Sequence, residues 1–251
     1  IQAPALVKRA PAPTPAAAGQ PGNLWATFTS VQWHRKWEGL PVTFTVLTVL
    51  TVVVASLFEI VPTFLIRSNV PTIATVKPYT PLELAGRDLY IREGCFNCHS
   101  QMVRPLRHET ERFGEYSKPG EFVYDHPFLW GSRRIGPDLA REGGKYSDIW
   151  HVRHMEEPRS ITARSIMPPY PHLSRQKLDF DGIQSRVDAM SMLGVPYGEA
   201  VNHAPAIARE QAGAVAAAIA EQGGPRGLED KEITALIAYL QRLGTDIKKP
   251  T

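Results

Sequence analysis

The sequence has little cysteine, little imbalance of charge and little strand pattern, and each of these shortages excludes a class of protein. Only two cysteines occur, too few for a disulfide framework or a four-cysteine zinc site. Lys and Arg number 28 against 25 Asp and Glu, so the chain lacks the basic excess that indicates a nucleic-acid partner. Outside residues 41–66, no sustained alternation of β-branched and polar residues indicates strands. A mostly α-helical protein is therefore predicted, with long loops because 19 glycines and 22 prolines interrupt the chain.

The first part of the chain is not predicted to form a packed domain. Residues 1–24 are rich in proline and alanine, which indicates a linker or tail. Because the sequence begins at Ile1, we expect a processed, truncated or fused product. Residues 25–40 combine tryptophans with cations, a mixture that suits the headgroup layer of a membrane, so an interfacial segment is predicted here.

Residues 41–66 form a long apolar run. The 18 residues from Pro41 to Phe58 carry no charge, and about 20 residues of helix cross a bilayer core. The run is apolar on all faces and too long for a secretory signal, so a transmembrane helix in contact with lipid is predicted rather than a buried core helix. Glu59 has two interpretations, a functional intramembrane carboxylate or an interfacial residue that reaches water.

The charges that flank this run predict its orientation. The nearby cations are Lys8, Arg9, Arg35 and Lys36 before the run and Arg67 and Lys77 after it. Because cations are enriched on the cytoplasmic side of a membrane, the N-terminus is expected in the cytoplasm and the rest of the chain outside.

The remainder of the chain is predicted to form one domain. Residues 67–79 are an extended link, residues 80–246 a helical domain and residues 247–251 a tail. Within the domain, an alanine-rich stretch at about 199–228 is interpreted as a helical insertion at the periphery.

Two helices of this domain are expected to pack together. Thr80 is the predicted N-cap of a helix over residues 81–93, where the residue types match a capping box. A second helix over residues 229–243 carries an apolar stripe, with Asp230 as its predicted cap. Gly86 lies in the first helix and would permit a close crossing of the two.

Both cysteines belong to the segment Cys95-Phe96-Asn97-Cys98-His99, which is the C-x-x-C-H pattern of covalent haem attachment. The two thiols can each add to a haem vinyl group, and the adjacent imidazole of His99 can then bind the iron. A thiol–disulfide redox pair would be expected after a strand, and a zinc site would need further cysteines. One covalent haem c is therefore predicted, with the carbonyl of Pro137 as the acceptor for the other ring N–H of His99.

A second axial ligand is expected among the downstream methionines and histidines. Met167 is favoured because the prolines that follow it hold the chain extended, which suits presentation of a thioether. Met102 is too close to the motif to reach the opposite face of the haem, and Met155 and His154 are interpreted as packing or surface residues of a helix. Ligation by histidine and methionine raises the reduction potential and leaves no open position, so electron transfer is predicted rather than oxygen binding.

The motifs taken together resemble a known family. Besides the tryptophan-rich entry and the single span, the resemblance rests on GCFNCHSQMVRP, YDHPFLWGSRRIGPDLAREGGKYSD, HMEEPRS, SIMPPYPHL and LGVPY, and it extends from about residue 31 to 246. These stretches are similar to the mono-haem cytochrome c subunit (CcoO, also FixO) of cbb3-type cytochrome c oxidases. The resemblance implies that residues 80–246 are a cytochrome c domain outside a bacterial inner membrane, and it assigns the axial ligands to His99 and Met167.

The resemblance also implies partners. The chain would relay electrons from a di-haem cytochrome c subunit or a soluble donor to a haem-copper catalytic subunit, which reduces oxygen and translocates protons. The chain itself would hold no oxygen-reduction site. A calcium ion near a subunit interface is implied as well, with Ser132 as a candidate ligand. Two alternatives stay open: the small cytochrome subunit of a nitric oxide reductase, against which the long segment 101–134 argues, and a haem sensor with an exchangeable axial ligand.

Overall fold

Helices joined by loops make up the part of the chain that the structure describes. A computed structural model describes residues 31–66 and 71–248. These two ranges contain no β-strand, only an isolated antiparallel bridge between Lys177 and Lys231. The helices of the described ranges are α1 (Val31–Glu38), α2 (Pro41–Leu65), α3 (Pro81–Arg92), α4 (Arg107–Phe113), α5 (Asp148–Glu156), α6 (Gly182–Met192), α7 (Ala200–Glu221) and α8 (Glu232–Arg242). The predicted helical fold class is confirmed. The predicted tail 1–24 and residues 25–30, 67–70 and 249–251 lie outside the described residues.

The chain divides into two compact units between Ile66 and Arg67, and the first unit contains the apolar helix α2. Its 25 residues extend over about 37 Å at the helical rise, which is enough to cross a bilayer core. The window Pro41–Thr63 has a mean hydropathy of 2.3, and none of it is buried within the protein. Thr45 and Thr51 donate their hydroxyls to the carbonyl four residues earlier, so these polar groups are satisfied inside the helix. The one apolar helix expected from the sequence is present and fits a single-pass membrane protein.

The second unit is built around the crossing of α3 and α8. At Gly86 a Cβ atom would lie 1.9 Å from the carbonyl oxygen of Ala235 and 2.8 Å from Cβ of Tyr239, so only glycine permits this approach. Tyr239 is fully buried, and its ring meets the ring of Tyr90 edge-on with the centroids 5.5 Å apart. Its hydroxyl donates to Gln101 Oε1 at 3.0 Å, which fixes the chain just after the cysteine motif.

The start of α3 follows the sequence prediction. The Thr80 side chain accepts a hydrogen bond from the Glu83 amide, and the Glu83 carboxylate accepts the Thr80 amide at 2.8 Å. This is the predicted capping box, and Pro81 occupies the first helical position. The helix ends before Gly94, whose φ of +70° turns the chain sharply into the cysteine motif.

The predicted cap of the last helix is wrong. The helix α8 begins at Glu232 and its N-cap residue is Lys231, which makes no side-chain cap. The Asp230 carboxylate pairs instead with Lys231 at 3.1 Å. The Glu232 amide donates to the carbonyl of Gln176 at 3.2 Å, so a contact from a distant part of the chain replaces the local cap.

The alanine-rich stretch forms α7, which packs one face against the rest of the second unit. In α7, the residues Ala204, Ala208 and Ala212 recur every four positions and are fully buried. Their small side chains let α7 pack closely against α3 and α6. Gln211 of the same helix accepts the Leu82 amide at 3.2 Å and so satisfies one of the free N–H groups at the start of α3.

We predict that Gly86→Ala strongly destabilises the second unit, because its methyl group would overlap the Ala235 carbonyl. Overpacking of this kind costs about 1–3 kcal/mol or more. The matched control is Gly213→Ala in α7, where an added Cβ meets no atom within 4 Å. The control should gain up to about 1 kcal/mol from helix propensity. Urea unfolding of the full chain in detergent measures the stability of both variants. Equal stabilities of Gly86→Ala and Gly213→Ala would show that α3 and α8 do not cross so closely.

Candidate haem site

The cysteine motif forms one tight turn. The residues Cys95–Asn97 are a 3₁₀ helix, and the amides of Cys98 and His99 donate to the Cys95 carbonyl at 3.1 and 2.9 Å. Both thiols are free and half-buried. Burial, reinforced by the nearby Glu93 carboxylate, raises the pKa of the Cys95 thiol to about 12. A redox-active pair needs a lowered thiol pKa, so this environment does not suit thiol–disulfide exchange.

A second loop, residues 130–139, lies against this CFNCH turn, and we call it the clasp loop. Gly131 has a φ of +65°, and a Cβ there would lie 3.0 Å from the carbonyl oxygens of Phe96 and His99. The two backbones are therefore in direct contact. Three backbone hydrogen bonds join the clasp loop to the turn and to the two residues that follow it: Gly136 N to Cys98 O at 2.9 Å, Leu139 N to Ser100 O at 2.8 Å, and Gln101 N to Trp130 O at 2.8 Å.

The clasp loop fixes the imidazole of His99. The Nδ1 atom of His99 lies 2.8 Å from the carbonyl oxygen of Pro137, so Nδ1 carries the proton and donates. A Cβ on Gly136 would lie 2.2 Å from Cε1 of the same ring and 2.7 Å from Nδ1 and Nε2. Burial lowers the pKa of His99, although the Pro137 carbonyl acts in the opposite direction. A neutral ring held in this way has its lone pair on Nε2, as a metal ligand requires.

A buried polar network holds the clasp loop in place. The Ser100 hydroxyl donates to Asp138 Oδ2 at 2.6 Å, and Arg134 Nε donates to the same hydroxyl at 2.7 Å. Arg134 also pairs with Glu109 at 2.7 Å, and this hydrogen-bonded guanidinium lowers the pKa of the Glu109 carboxyl to about 2. Sequence reasoning missed these residues, because within WGSRRIGPDLAR it assigned roles only to Pro137 and Ser132. The four-residue spacing of arginine and aspartate in that motif was the available signal.

Met167 lies on a stiff stretch of chain. It is half-buried and packs on the same apolar cluster as Cys95 and Phe96. Pro168 and Pro169 follow, and the Tyr170 amide then donates to the Met155 carbonyl at 2.6 Å. We call residues 167–174 the methionine arm; it ends in the 3₁₀ helix Pro171–Ser174, in which Leu173 is fully buried. The structure thus brings the methionine arm and the CFNCH turn to one cluster.

The structure places two other candidate residues from the sequence, Met155 and Ser132, in the core and on the surface respectively. Met155 is buried in the core, which agrees with its interpretation as a packing residue. Ser132 is exposed on the clasp loop. Among residues 31–66 and 71–248 there is no group of three or more His, Cys, Asp or Glu side chains suited to a metal ion.

The residues present fit a haem group. His154 of α5 has a buried Nδ1 with no hydrogen-bond partner in the described part of the chain, and its ring stacks on Trp150 at 4.6 Å. Burial, and secondarily the nearby His99, lowers the pKa of His154, so it is a neutral polar group beside the candidate site. The His154 Nδ1 atom without a hydrogen-bond partner among the described residues, and the space that Gly136 leaves for the His99 ring, are both consistent with an additional group at the site.

Comparison with known proteins identifies the family. A family model described as cytochrome c oxidase, mono-heme subunit/FixO matches residues 34–247. The chain belongs to this family. Membership implies a mono-haem electron-transfer subunit of a cbb3-type cytochrome c oxidase, with a haem c cofactor and association with other oxidase subunits. A comparison with curated proteins found no significant match.

We predict that Gly136→Ala displaces the His99 ring and so perturbs any iron bond that this ring makes, because the new methyl group would overlap the ring. The covalent haem should still attach, while the ferric spectrum shifts from low spin towards high spin. Absorption and electron paramagnetic resonance spectra of the purified full chain measure this. Gly213→Ala, with open space at its Cβ, serves again as the control. An unchanged spectrum for Gly136→Ala would mean that the His99 ring is not held against Gly136.

Proposed function

We propose that the chain carries one haem covalently on Cys95 and Cys98, with His99 and Met167 as the axial ligands of its iron, and relays electrons within the oxidase. The observation that supports this most strongly is the orientation of His99. Its Nδ1 is committed to the Pro137 carbonyl, and its neutral ring leaves Nε2 available. Such a backbone acceptor is the usual partner of a metal-bound histidine.

The residues of the chain have distinct parts in this function. A haem bound here supplies a reversible one-electron ferric/ferrous couple. The Pro137 carbonyl keeps the His99 ring in one tautomer, and a thioether ligand from Met167 favours the ferrous state and so raises the potential. With His99 and Met167 both holding the iron, the chain would leave no position for oxygen, and oxygen reduction would belong to another subunit.

The proposed partners follow from the family and from the apolar helix. We propose that α2 crosses the bacterial inner membrane with the N-terminus in the cytoplasm and residues 80–246 outside. Electrons would arrive from a di-haem cytochrome c subunit or a soluble donor and leave for the haem-copper catalytic subunit. A calcium ion at the subunit interface, with Ser132 as one ligand, belongs to the same proposal. The family match favours this assignment over a nitric oxide reductase.

The axial ligand is tested with Met167→Ala in the assembled oxidase. We predict that the covalent haem is retained, that its reduction potential falls, and that oxygen uptake slows, because the thioether no longer stabilises the ferrous iron. Met192→Ala is the control, since the Met192 side chain is 83% exposed. A redox titration of the covalent haem provides the measurement, and an unchanged potential in Met167→Ala would assign the axial ligand to another residue.

The partners are tested by purification in mild detergent through a tag on this chain. We predict that b-type haem, copper and oxygen uptake travel with it. Non-haem iron without copper would indicate the reductase instead. A spectral change when carbon monoxide is added to the reduced isolated chain would indicate an exchangeable ligand, as in a sensor.

A further inference from the structure

A chain of hydrogen bonds and ion pairs links the methionine arm to the helix that leads into the CFNCH turn. The Nε2 atom of His172 lies 3.1 Å from Glu93 Oε2. The other Glu93 oxygen accepts from Arg92 Nε at 2.8 Å. Arg92 in turn makes a two-point contact with Glu232 at the start of α8, at 2.7 and 2.5 Å. These are the charged groups that face the His172–Glu93 contact, and none of them is a proposed haem ligand.

Each end of this contact is rigidly connected to a part of the proposed haem site. Glu93 is the C-cap residue of α3, and only Gly94 separates it from Cys95. On the other side, His172 follows Met167 by five positions, and three of the four intervening residues are prolines. Proline fixes φ at three of these positions, so the backbone between His172 and Met167 has fewer free rotations than an ordinary loop.

We propose that the His172–Glu93 contact is a positioning contact that sets where Met167 stands relative to the CFNCH turn. The inference rests on the proposed function, because it assumes that Met167 binds the iron. Leu173 and the Tyr170–Met155 hydrogen bond hold the arm to the core and to α5, and the hydrogen bond between His172 and Glu93 adds a directional contact to the helix that ends at the CFNCH turn. Glu93 is only 14% exposed, and its additional contact with Arg92 restricts the carboxylate to one orientation.

The test uses imidazole, which displaces a weakly held methionine from ferric iron. In the full chain purified in detergent with its haem, we expect His172→Ala to tighten the apparent imidazole affinity roughly fivefold. A roughly fivefold change is the upper end of the effect that a partly exposed charged contact has on an equilibrium. His172→Gln, whose carboxamide can still donate to Glu93, should restore most of the wild-type value. Arg186→Ala is the matched control, because it removes an ion pair with Asp88 on the same helix α3.

Urea unfolding separates positioning from a general loss of stability. A merely structural role would lower the unfolding midpoint in His172→Ala and in Arg186→Ala alike, with no change in imidazole affinity, and this result would overturn the proposal. The variant Met167→Ala distinguishes the two levels of inference. If it leaves imidazole binding unchanged, the axial assignment itself fails; if it opens the iron while His172→Ala does not, only the positioning contact fails.

Discussion

The candidate site depends on direct contact between two backbones, those of the CFNCH turn and the clasp loop. Because Gly131 and Gly136 lack side chains, the clasp loop can approach the turn closely enough for its carbonyl at Pro137 to meet the His99 ring. The half-buried Arg134 maintains this contact through ion pairs with the buried carboxylates of Glu109 and Asp138. Removal of one member would leave another buried without compensation, so the loop holds its position as a unit.

The crossing of α3 and α8 places this turn within the fold. Gly86 brings the two helices into contact, and α3 then ends at the left-handed Gly94, directly before Cys95. The same helix carries the fully buried Arg87, which donates to the carbonyl of His126 at 3.1 Å in the segment that leads to the clasp loop. The helix α3 therefore positions both the CFNCH turn and the segment that leads to the clasp loop.

Features encoded in a few neighbouring residues could be predicted from the sequence. The capping box at Thr80, the apolar helix and the close approach at Gly86 each follow from local residue types. The start of α8 could not be predicted in this way and the expected cap by Asp230 was wrong, since the Glu232 amide donates to the carbonyl of Gln176, a partner fixed only by the tertiary fold.

The interior of the molecule was harder to predict for a related reason. Alanine has no strong preference between surface and core, so the pattern of α7 did not show that its alanine face is buried. Likewise, Glu109 and Arg134 are far apart in sequence, and each alone has the residue type of an ordinary surface charge.

The prolines of the methionine arm have a consequence for the speed of electron exchange. An electron carrier is slowed when its ligands must move as the charge on the metal changes, and the energy of that movement is the reorganisation energy. Residues 167–174 combine fixed φ angles with a hydrogen bond to α5 and a buried leucine, so little of this backbone is free to relax. In the proposed site, where Met167 and His99 would hold the iron, the distance to the neighbouring redox centre, rather than ligand motion, would limit the rate.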